Sequence, residues 1–328
     1  MKKELLEYLK DYMFSEEAKE IINSSEIING EGFNVWSFKK MIFLEYYIKP
    51  YLLLIKKNAT KVFFIDFFSG CGANEAGENK PSIGSPIISL LKGSFSTKNK
   101  IYMFDKWYFA EINKEKADAL NKRIDQTLKE IELKNKIFID RNQIETLGGD
   151  INFLINKIVE NLNNEVASGQ KVGVLAFIDP YNYSNLEWAT LDKLLNLKYV
   201  DIIYTFPVLA LKRGFDSDLC KEKDKYLSPS LKEICKTKKL CEISPEDFSG
   251  LYAKDIAKKV RRSICYFDRG ISAKNSLNGE IYRIELFTNN ETMAKICEGK
   301  VKELNQLNFF HLNNIIYQAM GKQKTLFN

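Results

Sequence analysis

Apolar positions in the first thirty residues recur at helical spacing, with Leu5, Leu6, Leu9, Tyr12 and Met13 on one face. Asn29-Gly30-Glu31-Gly32 ends that piece. A second stripe, Phe38, Ile42, Leu44, Tyr47 and Ile48, predicts a helix over 37–55 that Pro50 kinks or divides. The period then changes. Val62-Phe63-Phe64-Ile65-Asp66-Phe67-Phe68 is apolar without alternation, as expected of a parallel strand covered on both faces. Similar runs at 100–104 or 107–112, 136–139, 172–178, 201–206, 263–267 and 281–287 predict further strands. Helical stretches at 114–132, 151–163 and 188–197 separate them, so the expected fold class is α/β with a doubly wound, mostly parallel sheet. Only the last connection, 268–280, is short; it carries Gly270 and Asn278-Gly279 and predicts an antiparallel closing pair. The expected organisation is a helical extension over 1–60, a Rossmann-like core over 61–210, a helical insertion over 211–262, and the last two strands with C-terminal helices over 263–328.

Composition narrows the function. The chain has 328 residues, is 45% hydrophobic and carries 22 Phe and 16 Tyr, enough for a large core and incompatible with bulk disorder. A charged start, Lys2-Lys3-Glu4, and the lack of any apolar run near ~20 residues predict a soluble, cytoplasmic protein without a membrane span. One histidine, His311, argues against triad hydrolysis and His-ligated metal catalysis. Six cysteines without a CxxC pair do not form a zinc pattern and read as free thiols. The formal charge of +6 is matched by residues 205–274 alone, where 16 Lys+Arg face 10 Asp+Glu. That local excess points to a polyanionic partner, though solvated lysine-rich helix faces give the same numbers.

In a doubly wound sheet ligands bind beyond the carboxyl ends of the strands, so the residues there are the candidates. The first strand ends in Asp66-Phe67-Phe68-Ser69-Gly70-Cys71-Gly72, whose glycines let the backbone turn sharply beside a ligand. It lacks the Gly-Lys-Ser/Thr of a P-loop and the third glycine of a dinucleotide fingerprint. Ser85-Pro86 reads as an N-cap followed by the first helical residue. Glu111, ending the next strand, suits a ribose diol or is a surface carboxylate. Asp150 after Gly148-Gly149 binds an adenine amino group or caps the next helix. Asp179-Pro180-Tyr181-Asn182 has the ingredients of an amine-accepting site, a carboxylate, a carbonyl and an aromatic ring, or is a turn into a helix.

Together these strand ends resemble the class I S-adenosylmethionine-dependent methyltransferases. More narrowly, the chain resembles the three-Cys-motif partner proteins. The likeness is carried by Trp36 with Lys40, the 64–72 loop, Gly84-Ser85-Pro86, Glu111, Ile178-Asp179-Pro180-Tyr181 and Asp201–Pro207, in order over 33–210 and more loosely over 281–304. Cys71 replaces the proline of the common Gly-Pro-Gly loop, and Tyr181-Asn182 replaces Phe-Gly. The resemblance implies a Rossmann-like methyltransferase fold with a seven-stranded sheet, an S-adenosylmethionine cofactor and a partner protein of the three-Cys-motif kind. It implies that Asp66, Ser69, Gly70 and Gly72 hold the amino-acid end of the cofactor, Glu111 its ribose and Asp150 its adenine. Asp179, Pro180 and Tyr181 would then orient an exocyclic base amine, with Lys212, Arg213, Arg261 and Arg262 on nucleic-acid phosphates. Two rivals stand beside this reading: a methyltransferase-like binding module without catalysis, and a metal-dependent nuclease or hydrolase using Asp66, Glu111, Asp150 and Asp179.

Overall fold

The computed structural model describes residues 2–29, 37–75, 81–98, 100–213, 222–260 and 270–321. Helix α1 (Lys2–Tyr8) runs through a π-turn (Leu9–Met13) toward α2 (Glu16–Asn23), burying Leu5, Leu9 and Met13 as the stripe predicts. Ser15 caps α2, its side chain accepting from the Ala18 amide. Helix α3 (Ser37–Ile55) continues through Pro50 without division. Its apolar residues are spread around the helix, and the buried flank presses on the sheet. That packing outweighs one missing amide donor.

Seven strands form the sheet: β1 (Lys61–Asp66), β2 (Lys106–Glu111), β3 (Ile144–Gly148), β4 (Val172–Ile178), β5 (Tyr199–Phe206), β6 (Ile271–Lys274) and β7 (Glu280–Phe287). Their spatial order is β6-β7-β5-β4-β1-β2-β3. Every pairing is parallel except the two made by β7, which is antiparallel to both neighbours. This is a mixed α/β sheet compatible with a Rossmann-like fold.

Alternation along the strands sorts the helices into two layers. Phe64, Phe109, Leu175, Phe177 and Ile203 face a core shared with α1 to α3, α4 (Ser85–Lys92), α5 (Lys114–Asn135) and, near the C-terminus, Glu291–Gln306 and Phe309–Ala319. Their neighbours Phe63, Ile65, Tyr108, Val174 and Ile202 face the opposite core, with α6 (Ile151–Ala167), α7 (Trp188–Leu195) and α8 (Val208–Lys212). The stretch expected as an insertion is helical where described, as α9 (Lys223–Tyr226), α10 (Pro229–Ile234) and α11 (Pro245–Lys259). It packs on the sheet's second core. Phe248, Tyr252 and Ile256 of α11 are buried in the second core, and Tyr252 packs edge-on against Tyr183, Trp188 and Phe206. The two C-terminal helices are α12 (Glu291–Gln306) and α13 (Phe309–Ala319).

Residues 136–139 are not a strand: Lys136 ends α5 in the left-handed region, and Ile137 and Ile139 are buried in a loop. The third strand is β3, which buries only Ile144 and Leu147 along its length. It lies at the sheet edge, where fewer apolar contacts are needed, and its sequence is correspondingly polar. Residues 100–104 form an arm of a small hairpin with Ser94–Thr97, outside the main sheet. The expected strand 263–267 lies outside the described residues; β6, which pairs with β7 on the side away from β5, falls within the stretch expected to be only a connection, 268–280, and is joined to β7 by a turn in which Asn278 takes a φ of 63°.

Candidate functional site

Strand order reverses at β1, between β2 on one side and β4 on the other, so a crevice opens past their carboxyl ends. The loop after β1 is knotted by its own side chains. Asp66 is fully buried; Oδ2 accepts from the Ser85 hydroxyl at 2.6 Å and Oδ1 from the Phe68 amide at 3.1 Å. Ser85 is therefore the first residue of α4 rather than its cap, which is Gly84. Burial pushes the Asp66 carboxyl up to about 7, against the pull of those two donors, and the charges of Asp179 and Glu111 push it further. Both of its carboxylate oxygens are engaged within the protein. Ser69 donates its amide to the Ala110 carbonyl at 2.9 Å and its hydroxyl to the Asp66 carbonyl at 3.1 Å.

Gly70 and Gly72 take φ values of +60° and +78°, the region where a side chain is strained. Space also forbids one. At Gly72 a Cβ would press on Leu120 and Ile87; at Gly70 it would run into the amide of Asn29. Asn29 is laid across the loop by backbone bonds to Ala73 and Glu75 and by a 3.1 Å bond from its Nδ2 to Asn74 Oδ1. Arg123, fully buried on α5, ties this arrangement to α2: it donates to the carbonyls of Ile22, Ser25 and Cys71.

Glu111 and Asp150 stand at the ends of neighbouring strands. Glu111 Oε1 accepts from the Asn113 amide at 2.8 Å. Asp150 caps α6, with Oδ1 accepting from the Asn152 amide at 2.9 Å. The second oxygen of each carboxylate is uncommitted among the described residues. A Cβ added at Gly148, opposite Glu111, would meet nothing, so this end of the crevice is open.

The end of β4 shapes a polar pocket of about 580 Å³. Asp179 Oδ2 pairs with Lys40 Nζ of α3 at 2.6 Å, and that ammonium also lies 4.8 Å from the centre of the Tyr282 ring. Pro180 is buried, whereas Tyr181 is 73% exposed at the rim. Asn182 is extended and leads into a single 3-10 turn (Tyr183–Asn185): its amide donates to Asn185 Oδ1 at 2.7 Å. Tyr183 then dives into the core, its hydroxyl 2.9 Å from Ser249 Oγ. Thr205, on β5, brings to the pocket a buried hydroxyl oxygen without a partner among the described residues.

Of the four expected phosphate-binding cations, Lys212 and Arg213 are described, and they do not both face this pocket. Arg213 lines it; Lys212, the next residue, points elsewhere and pairs with Glu246 at 2.9 Å. Arg261 and Arg262 lie outside the described residues. Nor do Asp66, Glu111, Asp150 and Asp179 converge: among the described residues no three His, Cys, Asp or Glu side chains are grouped to hold a metal ion. Asn29 and Arg123 carried no functional signal, and Lys40 and Thr205 only that of the resemblance, because the groups that Asn29, Arg123 and Lys40 meet lie more than forty residues away along the chain. No described helix is long and apolar enough to cross a membrane.

No family model and no curated protein matches the chain. Among solved structures, the chain is similar to protein LPL1258 from Legionella pneumophila strain Philadelphia 1, of the family DUF519, at 12% identity and a TM-score of 0.41, over 80% of this chain and 92% of that one.

Proposed function

We propose that the chain is an S-adenosylmethionine-dependent methyltransferase of the class I fold, acting on an exocyclic amine of a nucleic-acid base. The observation that carries this reading is the meeting of Asp179, Pro180 and an exposed Tyr181 in one pocket beside the sheet's switch point. The reversed β7 between β5 and β6 also agrees with the resemblance.

The residues fit the cofactor in part. Ser69, Gly70 and Gly72 offer a tight turn for its amino-acid end, the free oxygen of Glu111 suits a ribose diol, and that of Asp150 suits the adenine amine. Asp66 acts one step back, holding the turn. When bound, S-adenosylmethionine supplies an electrophilic methyl group. Lys40 fixes Asp179 through Oδ2, leaving Oδ1 and the Pro180 carbonyl to accept the two hydrogens of the target amine. Tyr181 offers its ring to the base. Such transfer relies on positioning and on keeping water away.

A second reading has an observation of its own. Asn29 packs on Gly70 and Lys40 engages Asp179, so both halves of the site are already occupied by the chain's own side chains. A recognition module that serves a partner protein would look the same. Calorimetric titration of S-adenosylmethionine and S-adenosylhomocysteine separates the two. The methyltransferase reading expects micromolar binding that Gly70→Asp and Glu111→Ala abolish or weaken. Absence of binding to the native chain overturns it in favour of recognition. If binding holds, Asp179→Asn is expected to slow methyl transfer to oligonucleotides by about a hundredfold.

A further inference from the structure

A second and larger cleft, of about 950 Å³, lies between the β6–β7 hairpin and the start of α13. Lys39, Lys212, Lys274 and Arg283 line it, with Phe309 and Phe310 on one wall. Lys212 and Arg283 are partly neutralised by Glu246 and Glu280, at 2.9 and 2.8 Å. Lys39 and Lys274 have no carboxylate partner among the described residues.

Lys39 is the unusual member. Its side chain is only 2% exposed, and its Nζ has one acceptor among the described residues, the Ser272 carbonyl at 3.0 Å. Burial, and then the charge of Lys274, push its ammonium down to about 8. Beside it, the buried hydroxyl of Ser272 has no partner among the described residues. A buried cation, an orphaned hydroxyl and a second cation at one spot form a donor set with the Ser272 carbonyl as its single acceptor among the described residues, and such groups are costly to bury unless a ligand completes them. Phe310, 58% exposed, presents a ring on the same cleft.

The cleft and the Asp179 pocket also share walls. Lys39 faces the cleft and Lys40 the pocket; Lys212 faces the cleft and Arg213 the pocket; Arg283 faces the cleft and Tyr282 the pocket. The two cavities thus flank the same three backbone segments.

We propose that this cleft is a binding site for single-stranded nucleic acid, in which Lys39, Ser272 Oγ and Lys274 hold a backbone phosphate and Phe310 stacks on a base, while the strand continues past Lys212 and Arg213 to the Asp179 pocket. Only that continuation rests on the methyltransferase reading; the phosphate site stands without it. Single strands suit the geometry because an exposed ring can stack only on a base that is already unpaired.

The test is fluorescence anisotropy with labelled single-stranded DNA and RNA and the matching duplexes, titrated against salt, with inorganic phosphate and pyrophosphate as competitors. Lys274 and Phe310 are exposed, so their alanine variants keep the fold. Lys274→Ala is expected to lower the salt slope by about 0.7. Phe310→Ala is expected to weaken single-strand binding about tenfold and leave that slope unchanged. Single-strand binding indifferent to both variants overturns the assignment of the cleft, while a concurrent S-adenosylmethionine titration shows whether the methyltransferase reading survives. Equal affinity for duplexes overturns the single-strand preference. Displacement of the label by millimolar pyrophosphate, with no oligonucleotide preference, assigns the cleft to a free phosphate compound and overturns nucleic acid as its ligand.

Discussion

Asp66 is where one residue has the clearest physical consequence. A carboxyl whose folded value is about 7, against an ordinary 3.8, binds a proton more tightly when folded than when unfolded. It therefore costs nothing below pH 4 and progressively destabilises the fold as pH rises to 7, by about 4 kcal/mol at the upper limit. Asp201, pushed up by burial to about 6, acts in the same sense over a lower window. Asp66→Asn keeps the acceptor for Phe68 and removes the penalty. Urea denaturation should find the variant more stable than the native chain at pH 8 and similar at pH 4; parallel curves across that range would refute the assignment. The sequence made Asp66 look like a cofactor ligand because it stands at a strand end. Its burial and its bond to Ser85, nineteen residues on, were not readable from that position.

Between elements, the decisive contact is Arg123. It joins α5, the end of α2 and the Gly70–Gly72 turn through four hydrogen bonds to three carbonyls, with no carboxylate among them. Removing it strands those carbonyls, each at about 1–3 kcal/mol. Arg123→Met is expected to cost at least about 3 kcal/mol in chemical denaturation, and Arg123→Lys nearly as much, since an ammonium cannot reach three separated acceptors from one planar fork. A loss under about 1 kcal/mol would show that the strap is held by packing alone. Element legibility followed burial. β1, β4 and β5, covered on both faces, wrote themselves as apolar runs. β3, at the edge, was passed over in favour of 136–139, whose Ile137 and Ile139 are buried but which pairs with no strand among the described residues.

At the scale of the whole molecule, a ligand that binds only the folded state adds stability by mass action. S-adenosylhomocysteine at a hundred times its Kd should add about 2.7 kcal/mol and raise Tm by several degrees, an increment that Glu111→Ala removes. An unchanged Tm at that concentration would count against the cofactor pocket. What the sequence determined by itself was the alternation of strand and helix, the two-sided cover of the central strands, the antiparallel course of the last strand and the position of each candidate at a strand end. Those follow from local periodicity and from the rule that parallel strands need crossovers. Tertiary structure alone decided where each candidate is placed: that Asp66 faces inward, that Asp150 caps a helix, that Lys40 answers Asp179, and that Lys212 and Arg213 part to different cavities. The physical reason is distance along the chain. Each of those outcomes depends on a partner, a burial or a direction set by packing between remote segments, and a linear pattern does not encode which groups the fold will bring within hydrogen-bonding reach.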